Sequence, residues 1–393
     1  MSIILAALPL EESIAKEAER PALPRVLLVL DQFPKTLGGG ERIVLRLAAL
    51  LPQYGYCVSI LTFSVHPEST ALKSPPCPIY VLPLQRTYDL AAFRAALEFR
   101  RFLKRERIQI VQTFFESSDL WAGFVTKTTS RTKLIWSRRD MGILRARKHQ
   151  IAYRLMAAAP DAVFAVSEQV RQHCISVDRI DPDRVQTIYN GYSLADRTAV
   201  TRSARIPGEG LITTVGNIRR VKGHDVFIKS ASLVLSRFPN VSFSIVGEVL
   251  DQDYFVELQD LVRNLGILDR FHFVGGVTDI QTYLSEADIF VLPSRSEGFS
   301  NAIVEAMAAS LPVVATGVGG NAEAVKDGVT GFVIPPEDPA ALSAAITRLL
   351  SDPLQAMAMG ITGKSLAAEM FSTNVMMGRI VTKYKDLLAQ SSE

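Results

Sequence analysis

Cysteine is scarce in this chain. Among 393 residues there are three, Cys57, Cys77 and Cys174, far apart in sequence. A scattered, odd set makes no disulfide framework, and no C-x-x-C or other metal-ligand spacing is present. A reducing cytoplasm is the expected setting. Long apolar runs are missing too. Nothing approaches the ~20 residues that a helix needs to cross a bilayer. The opening MSIILAALPLEESIAKEAER has a short apolar run, Ser2 to Leu10, with no basic flank before it and acidic residues directly after. That is not the pattern of a secretory signal. The dinucleotide fingerprint G-x-G-x-x-G is absent, which disfavours a hydride-transferring dehydrogenase, and no Walker A loop occurs. No low-complexity tract or short-period repeat interrupts the chain.

What remains is globular. Hydrophobic residues make up 48% and charged residues 21%, and the length suits two domains. Near-continuous apolar runs alternate with amphipathic stretches, the pattern of parallel strands covered on both faces. The first set is RVLLVL (25–30), CVSILTF (57–63), PIYVLPL (78–84), IQIVQTF (108–114), KLIWS (133–137), AVFAV (162–166) and VQTIY (185–189). The second is LITTVG (211–216), VSFSIVG (241–247), RFHFVGG (270–276), DIFVLPS (288–294), LPVVAT (311–316) and GFVIP (331–335). Between them the polar stretch 193–209, with Pro207-Gly208, reads as a linker. The expectation is two doubly wound α/β domains, 24–205 and 206–371, after an N-terminal extension, 1–23. Charge divides along the same line. Through Arg205 there are 29 Lys/Arg against 19 Asp/Glu, and beyond it 14 against 21. A basic first half facing something anionic, a substrate or a membrane surface, is implied.

Two glycine-rich turns stand where such sheets bind anions. Gly38, Gly39 and Gly40 lie between the first strand and a helix starting near Glu41, where free backbone N–H groups favour negative charge. As a signal, the triplet is no stronger than a plain tight turn. In TTVGNIRRVKGHD, Gly216 and Asn217 lead to Arg219, Arg220 and Lys222 at the end of a strand, a set suited to phosphate. The stretch SRSEGFSNAIVEAMA then places Glu297 and Glu305 eight positions apart. Gly298, Phe299, Ser300 and Asn301 carry the chain into a helix whose first amides can hold a diphosphate. Glu305, one turn in, can accept hydrogen bonds from ribose hydroxyls.

These residues closely resemble glycosyltransferase family 4, retaining enzymes of the two-domain GT-B fold. The resemblance runs from about Leu211 to Pro336. It rests on Lys222-Gly223, VLPS at 291–294, Glu297 and Glu305, EAMA at 305–308, LPVVAT at 311–316 and Gly319-Gly320. The first half matches more loosely, at Gly39-Gly40-Glu41 and Asn190-Gly191. The resemblance implies two Rossmann-like domains facing a central cleft, with the last helix, 372–393, returning to the first domain. It implies a nucleotide-diphosphate sugar donor carrying a hexose or N-acetylhexosamine, and a glycan or lipid-linked acceptor in cell-surface polysaccharide or glycoconjugate synthesis. Lys222 would contact the donor diphosphate, Glu305 the ribose and Glu297 the transferred sugar, with the amides of Gly298 to Asn301 as cradle. Gly39 and Gly40 would let the donor or acceptor pass close, with Glu41, Arg139, Asp140 and Asn190 on the acceptor side.

The sequence departs from the family at two places. Asn217 stands where many members have Arg, so Arg219 or Arg220 would supply that charge. WSRRDMG, with Arg138, Arg139 and Asp140, stands where many have a catalytic His. The five histidines read as structural or surface residues. No metal or other cofactor is expected. Asp181-x-Asp183 and Asp251-x-Asp253 mimic a metal-binding D-x-D, but one lies in a turn and the other starts a helix, where Asp suits the dipole. A nucleotide-sugar epimerase and a non-catalytic sugar-nucleotide binder are competing readings; a nucleic-acid partner is not expected. The segment Tyr88 to Arg107 reads as a helix with apolar Leu90, Phe93, Leu97 and Phe102 and six cations. It is either a crossover helix burying that face on the sheet, or a surface resting on anionic lipid at the inner membrane face.

Overall fold

Branched and aromatic side chains crowd the strand segments, and burial on both faces turns them into two parallel sheets. The computed structural model describes residues 3–7, 23–87, 89–140, 142, 147–192 and 209–390. Most of the N-terminal extension and nearly all of the expected linker, residues 193–208, lie outside the described residues. The chain forms two units, 1–188 with 377–393, and 189–376. The second therefore starts upstream of the expected linker.

The first unit holds strands β1 (Ile4–Ala7), β2 (Arg25–Phe33), β3 (Cys57–Val65), β4 (Ile79–Val81), β5 (Ile110–Thr113), β6 (Lys133–Arg138), β7 (Ala162–Ala165) and β8 (Val185–Thr187). Their order is β1-β4-β3-β2-β5-β6-β7-β8. Val26 to Leu30 of central β2 are fully buried, as a strand covered on both sides requires. All neighbours run parallel except β1, which pairs antiparallel with β4. That strand was not expected. Four residues on a sheet edge, with Ile4 and Leu5 exposed, carry no periodic signal. The final helix, Thr373–Ala389, packs on this unit through Tyr384, whose ring lies 5.4 Å from Tyr56, edge to face. Its hydroxyl meets buried Gln112 of β5.

The second unit holds β9 (Gly210–Val215), β10 (Val241–Val246), β11 (Phe271–Gly275), β12 (Ile289–Leu292), β13 (Val313–Thr316) and β14 (Gly331–Ile334). The order β11-β10-β9-β12-β13-β14 is the doubly wound 3-2-1-4-5-6 arrangement. Its core joins Ile212, Phe243 and Phe271 to Phe227 of helix His224–Leu235 and Ile346 of helix Pro339–Ser351. The Phe227 ring sits 5.7 Å from Phe243 and 5.6 Å from Phe271. In such a sheet the loops after the two central strands, here β9 and β12, diverge and open a crevice at the strands' C-terminal ends. In the first unit the same point lies between β2 and β5.

Candidate active site

Lys222 and Glu297 come from the two loops that diverge at the second unit's switch point. After β9, a single 3-10 turn, Arg220–Lys222, ends at Gly223. Gly223 has φ +66, and a Cβ there would lie 2.1 Å from the Pro293 carbonyl oxygen. Only glycine lets this turn lie so close on the loop after β12. Lys222 Nζ then donates to Glu297 Oε1 at 2.6 Å, and Ser294 Oγ donates to the same oxygen at 2.7 Å. The lysine stem lies on Gly216, where a Cβ would stand 3.4 Å away.

A second backbone crossing fixes the Glu297 loop. Gly319 has φ +54, and a Cβ there would fall 1.8 Å from the Glu297 carbonyl oxygen. Gly320 N donates to Gly298 O at 2.9 Å. Helix Asn301–Ala308 begins at Ser300, which gives no side-chain cap. Its first-turn amides, unpaired within a helix by geometry, are therefore not capped by that side chain. Glu305 lies one turn further, half-buried. Phe299 turns inward, its ring 5.1 Å from Tyr189 and 5.2 Å from Phe371. It can offer a ligand its backbone, while its ring anchors the loop. A paired ammonium and carboxylate beside an uncapped helix start can meet a diphosphate and sugar hydroxyls.

Other expected residues are placed differently. Arg220 is not at the Lys222–Glu297 pair. Its guanidinium pairs with Glu257 and lies 5.0 Å over the Tyr254 ring, which corrects its expected place at the centre. Successive residues of a 3-10 turn point a third of a turn apart, and Glu257 and Tyr254 of helix Gln252–Asn264 meet the guanidinium on its side. Arg219 is exposed. Asn217 accepts from Glu248 N at 3.2 Å and so ties two strand-end loops together. Asn190, expected on the acceptor side of the first domain, belongs to the second unit and donates to Asn301 Oδ1 at 2.6 Å. That too is a correction. His224 is buried beside the turn, 3.3 Å from the Asn217 carbonyl. Burial draws its pKa down to about 4, so the ring stays neutral.

Behind the Lys222 turn stands a charged group that the sequence reading missed. Arg295 Nη1 and Nη2 grip the two Asp225 oxygens at 2.9 Å each, and Nη2 reaches Glu337 Oε2 at 2.9 Å. Nη1 also donates to the Arg220 carbonyl at 2.5 Å, and Arg295 N donates to the Val221 carbonyl at 2.8 Å. Tyr254 Oη donates to Asp225 Oδ1 at 2.5 Å. The available signal was position, since Arg295 lies inside the SRSEGF run.

The first unit's switch point gathers the remaining candidates. Helix Gly39–Leu50 starts against the Phe115 ring, and a Cβ on Gly40 would lie 2.7 Å from that ring. Arg139, half-buried, feels both Glu41 and Asp140. Burial draws its guanidinium down to about 10 while the two carboxylates pull it up, so it remains a cation. Arg138, one residue earlier, points the other way, as strand alternation requires. It is buried and pairs with Asp178 at 2.8 Å. His149 pairs with Glu116, the residue after Phe115. Each D-x-D has a local use instead. Asp251 caps its helix by accepting from Tyr254 N at 3.0 Å, and Asp181 accepts from Asp183 N at 3.1 Å.

Comparison with known proteins shows the family and the fold. Residues 37–196 match the family described as Glycosyltransferase Family 4, and residues 196–366 match Glycosyl transferases group 1. The chain is 32% identical over 209 residues to D-inositol 3-phosphate glycosyltransferase 2 of Catenulispora acidiphila, covering 50% of this chain and 49% of that protein. It is 30% identical over 226 residues to the lipopolysaccharide core biosynthesis mannosyltransferase LpcC of Rhizobium leguminosarum bv. viciae, covering 54% and 61%. The matched stretch thus spans about half the length of these curated relatives. Among solved structures, Anabaena Alr3699/HepE in complex with UDP and glucose superposes with a TM-score of 0.77 at 21% identity, over 92% of this chain and 99% of that one. At that identity the likeness is one of fold.

Proposed function

The chain belongs to the glycosyltransferases of family 4 and group 1, with the GT-B fold, and from that premise we propose that it transfers a hexose or N-acetylhexosamine from a nucleotide-diphosphate sugar to a glycan or lipid-linked acceptor, with retention and without a metal. The observation that carries this reading is the Lys222–Glu297 pair, 2.6 Å apart, next to an uncapped helix start at a sheet switch point.

Sugar transfer is slow because the anomeric C–O bond must break while negative charge grows on the departing phosphate. Fixed cations and helix amides aimed at that charge contribute several kcal/mol, on the order of a hundredfold or more in rate. Lys222 exchanges its Glu297 partner for the diphosphate, and the first amides of helix Asn301–Ala308 take the remaining oxygens. Glu297, released, accepts from hydroxyls of the transferred sugar. Glu305 accepts from the ribose. The acceptor hydroxyl attacks from the leaving-group face, which retains the anomeric configuration with no covalent carboxylate intermediate. Arg139, Glu41 and Asp140 bind on the acceptor side.

The acceptor is presented at an anionic membrane surface. Among the described residues no helix is long and apolar enough to cross a membrane, so attachment is peripheral. Helix Leu90–Arg105 supports it. Leu90 and Phe93 are 81% and 67% exposed, with exposed cations beside them. The name of one relative, a lipopolysaccharide core biosynthesis mannosyltransferase, favours cell-surface glycoconjugates.

A panel of nucleotide sugars tests the reading. A donor raises the melting temperature, since a ligand of the folded state stabilises it, and its nucleoside diphosphate is released when a glycan or lipid-linked acceptor is added. A sugar isomerised with donor alone would instead establish an epimerase. Release of the nucleoside diphosphate by Lys222→Ala at the wild-type rate would remove the site assignment.

A further inference from the structure

Lys222 and Glu297 are brought together from separate loops, and one side chain fastens both. Arg295 lies two residues before Glu297, in the same loop. Its guanidinium reaches across to the turn that carries Lys222, donating to the Arg220 carbonyl at 2.5 Å, while its own amide holds the Val221 carbonyl at 2.8 Å. Two successive carbonyls fix the peptide planes on both sides of Val221, and so the direction in which Lys222 leaves the chain. A fork of five N–H donors can do this and hold two carboxylates as well; an ammonium has three donors and no plane.

The carboxylates behind it are themselves held. Asp225 takes both terminal nitrogens of Arg295 at 2.9 Å, and accepts from Tyr254 Oη at 2.5 Å. Burial pushes the Asp225 carboxyl up, yet the hydrogen bonds from Arg295 and Tyr254 leave it below its ordinary value. Glu337 closes the other side from a backbone with φ +60. A left-handed conformation disfavours any residue with a Cβ, and it is tolerated here where the side chain meets Arg295. The Arg295 guanidinium donates to Asp225, Glu337 and the Arg220 carbonyl, and Lys222 and Ser294 are the donors to Glu297 Oε1.

We infer that Arg295, backed by Asp225 and Glu337, is a positioning residue that holds the Lys222 turn at the working distance from Glu297. The inference rests on the proposed donor role of Lys222. Arg295 binds no substrate; it acts through the lysine.

A double-mutant cycle on the full chain tests it, with release of UDP from UDP-glucose or GDP from GDP-mannose as the readout, whichever donor the panel selects. Arg295→Gln should lower kcat at least tenfold while donor KM changes less than threefold, and Arg295→Lys should recover little of it. In the Lys222→Ala background, Arg295→Gln should cost less than twofold, because the group it positions is gone. A loss in that background as large as in wild type would overturn the inference, since Arg295 would then act elsewhere. So would wild-type kcat in Arg295→Gln. If Lys222→Ala alone retains wild-type kcat, the donor-site reading fails first. Should Arg295→Gln fold poorly by circular dichroism, Asp225→Asn, which leaves the arginine in place but weakens its anchor, is expected to show the same non-additivity with Lys222→Ala. Full additivity there would equally sink the proposal.

Discussion

Lys222 and Glu305 stand in one motif pattern, yet their substitutions should read out differently. In the proposed mechanism Lys222 meets charge that grows in the transition state, so Lys222→Ala should lower kcat by on the order of a hundredfold. Glu305 is proposed to meet ribose hydroxyls, which are alike in ground and transition states. Glu305→Ala should therefore raise donor KM, by about tenfold for one charged hydrogen bond, and spare kcat. Steady-state kinetics on both variants separates the roles; lost kcat at unchanged KM in Glu305→Ala would reverse the assignment. The neighbouring arginines divide by geometry. Arg220 is held at Glu257 and over Tyr254, and an exposed ion pair of that kind is worth little. Arg220→Ala should cost less than threefold in kcat/KM. Arg219, also exposed, is then the candidate for the charge missing at Asn217, and Arg219→Ala should cost tenfold or more. Equal small losses would show that neither does so. The identities of Lys222, Glu297 and Glu305 were legible because spacing along one loop and one helix turn is a local property. The direction of Arg220 was not, since it depends on where Glu257 and Tyr254 arrive from another helix.

At the scale of elements, helix Leu90–Arg105 shows what periodicity leaves open. Leu90, Phe93, Leu97 and Phe102 read as one apolar set. In the folded unit they divide. Ala92, Ala95, Phe99, Phe102 and Leu103 are buried, whereas Leu90, Phe93 and Leu97 are exposed. The helix thus has a core face of small and aromatic residues and a second apolar stripe outside. Arg94, Arg100, Arg101, Lys104 and Arg105 are exposed around it. An apolar stripe edged by cations suits an anionic bilayer, where each cation near the surface contributes about 1 kcal/mol. Co-sedimentation with phosphatidylserine-containing vesicles at low salt should recover the protein, and neutral vesicles should not. Replacing Arg100, Arg101, Lys104 and Arg105 with Gln should abolish recovery. Equal recovery with both vesicle types would remove the membrane surface and leave the transferase reading standing. The thirteen apolar runs all became strands, the central ones buried on both faces and β8 and β11 at the sheet edges partly exposed. The short strand β1 joined the sheet by edge pairing, which four residues do not announce.

At the scale of the whole molecule, the proposed mechanism has fixed charge do the work that other transferases give to a metal. In that mechanism Lys222 and helix amides meet the leaving diphosphate, while Asp251 caps a helix and Asp181 closes a turn. Exhaustive treatment with EDTA should leave turnover within twofold of the untreated protein. Activity lost on chelation and restored by Mn²⁺ would refute a metal-independent mechanism. The halves also differ in charge, 29 cations against 19 anions through Arg205 and 14 against 21 after it. Activity on a lipid-linked acceptor should consequently fall with ionic strength more steeply than donor binding does, because screening acts most on exposed charge.

By itself, the sequence determined the two parallel sheets, the family and the Lys222-Gly223 and Glu297–Glu305 elements. Each is written in neighbouring residues, as an apolar run, a glycine at a forced turn or a fixed helical spacing. Tertiary structure alone decided the partners. It placed Asn190 on Asn301, sent Arg220 to Glu257 and joined Arg295 to Asp225 and Glu337. Those contacts join residues 37 to 111 positions apart in the chain, and which distant side chain arrives depends on how strands and helices pack, a property that no local pattern records.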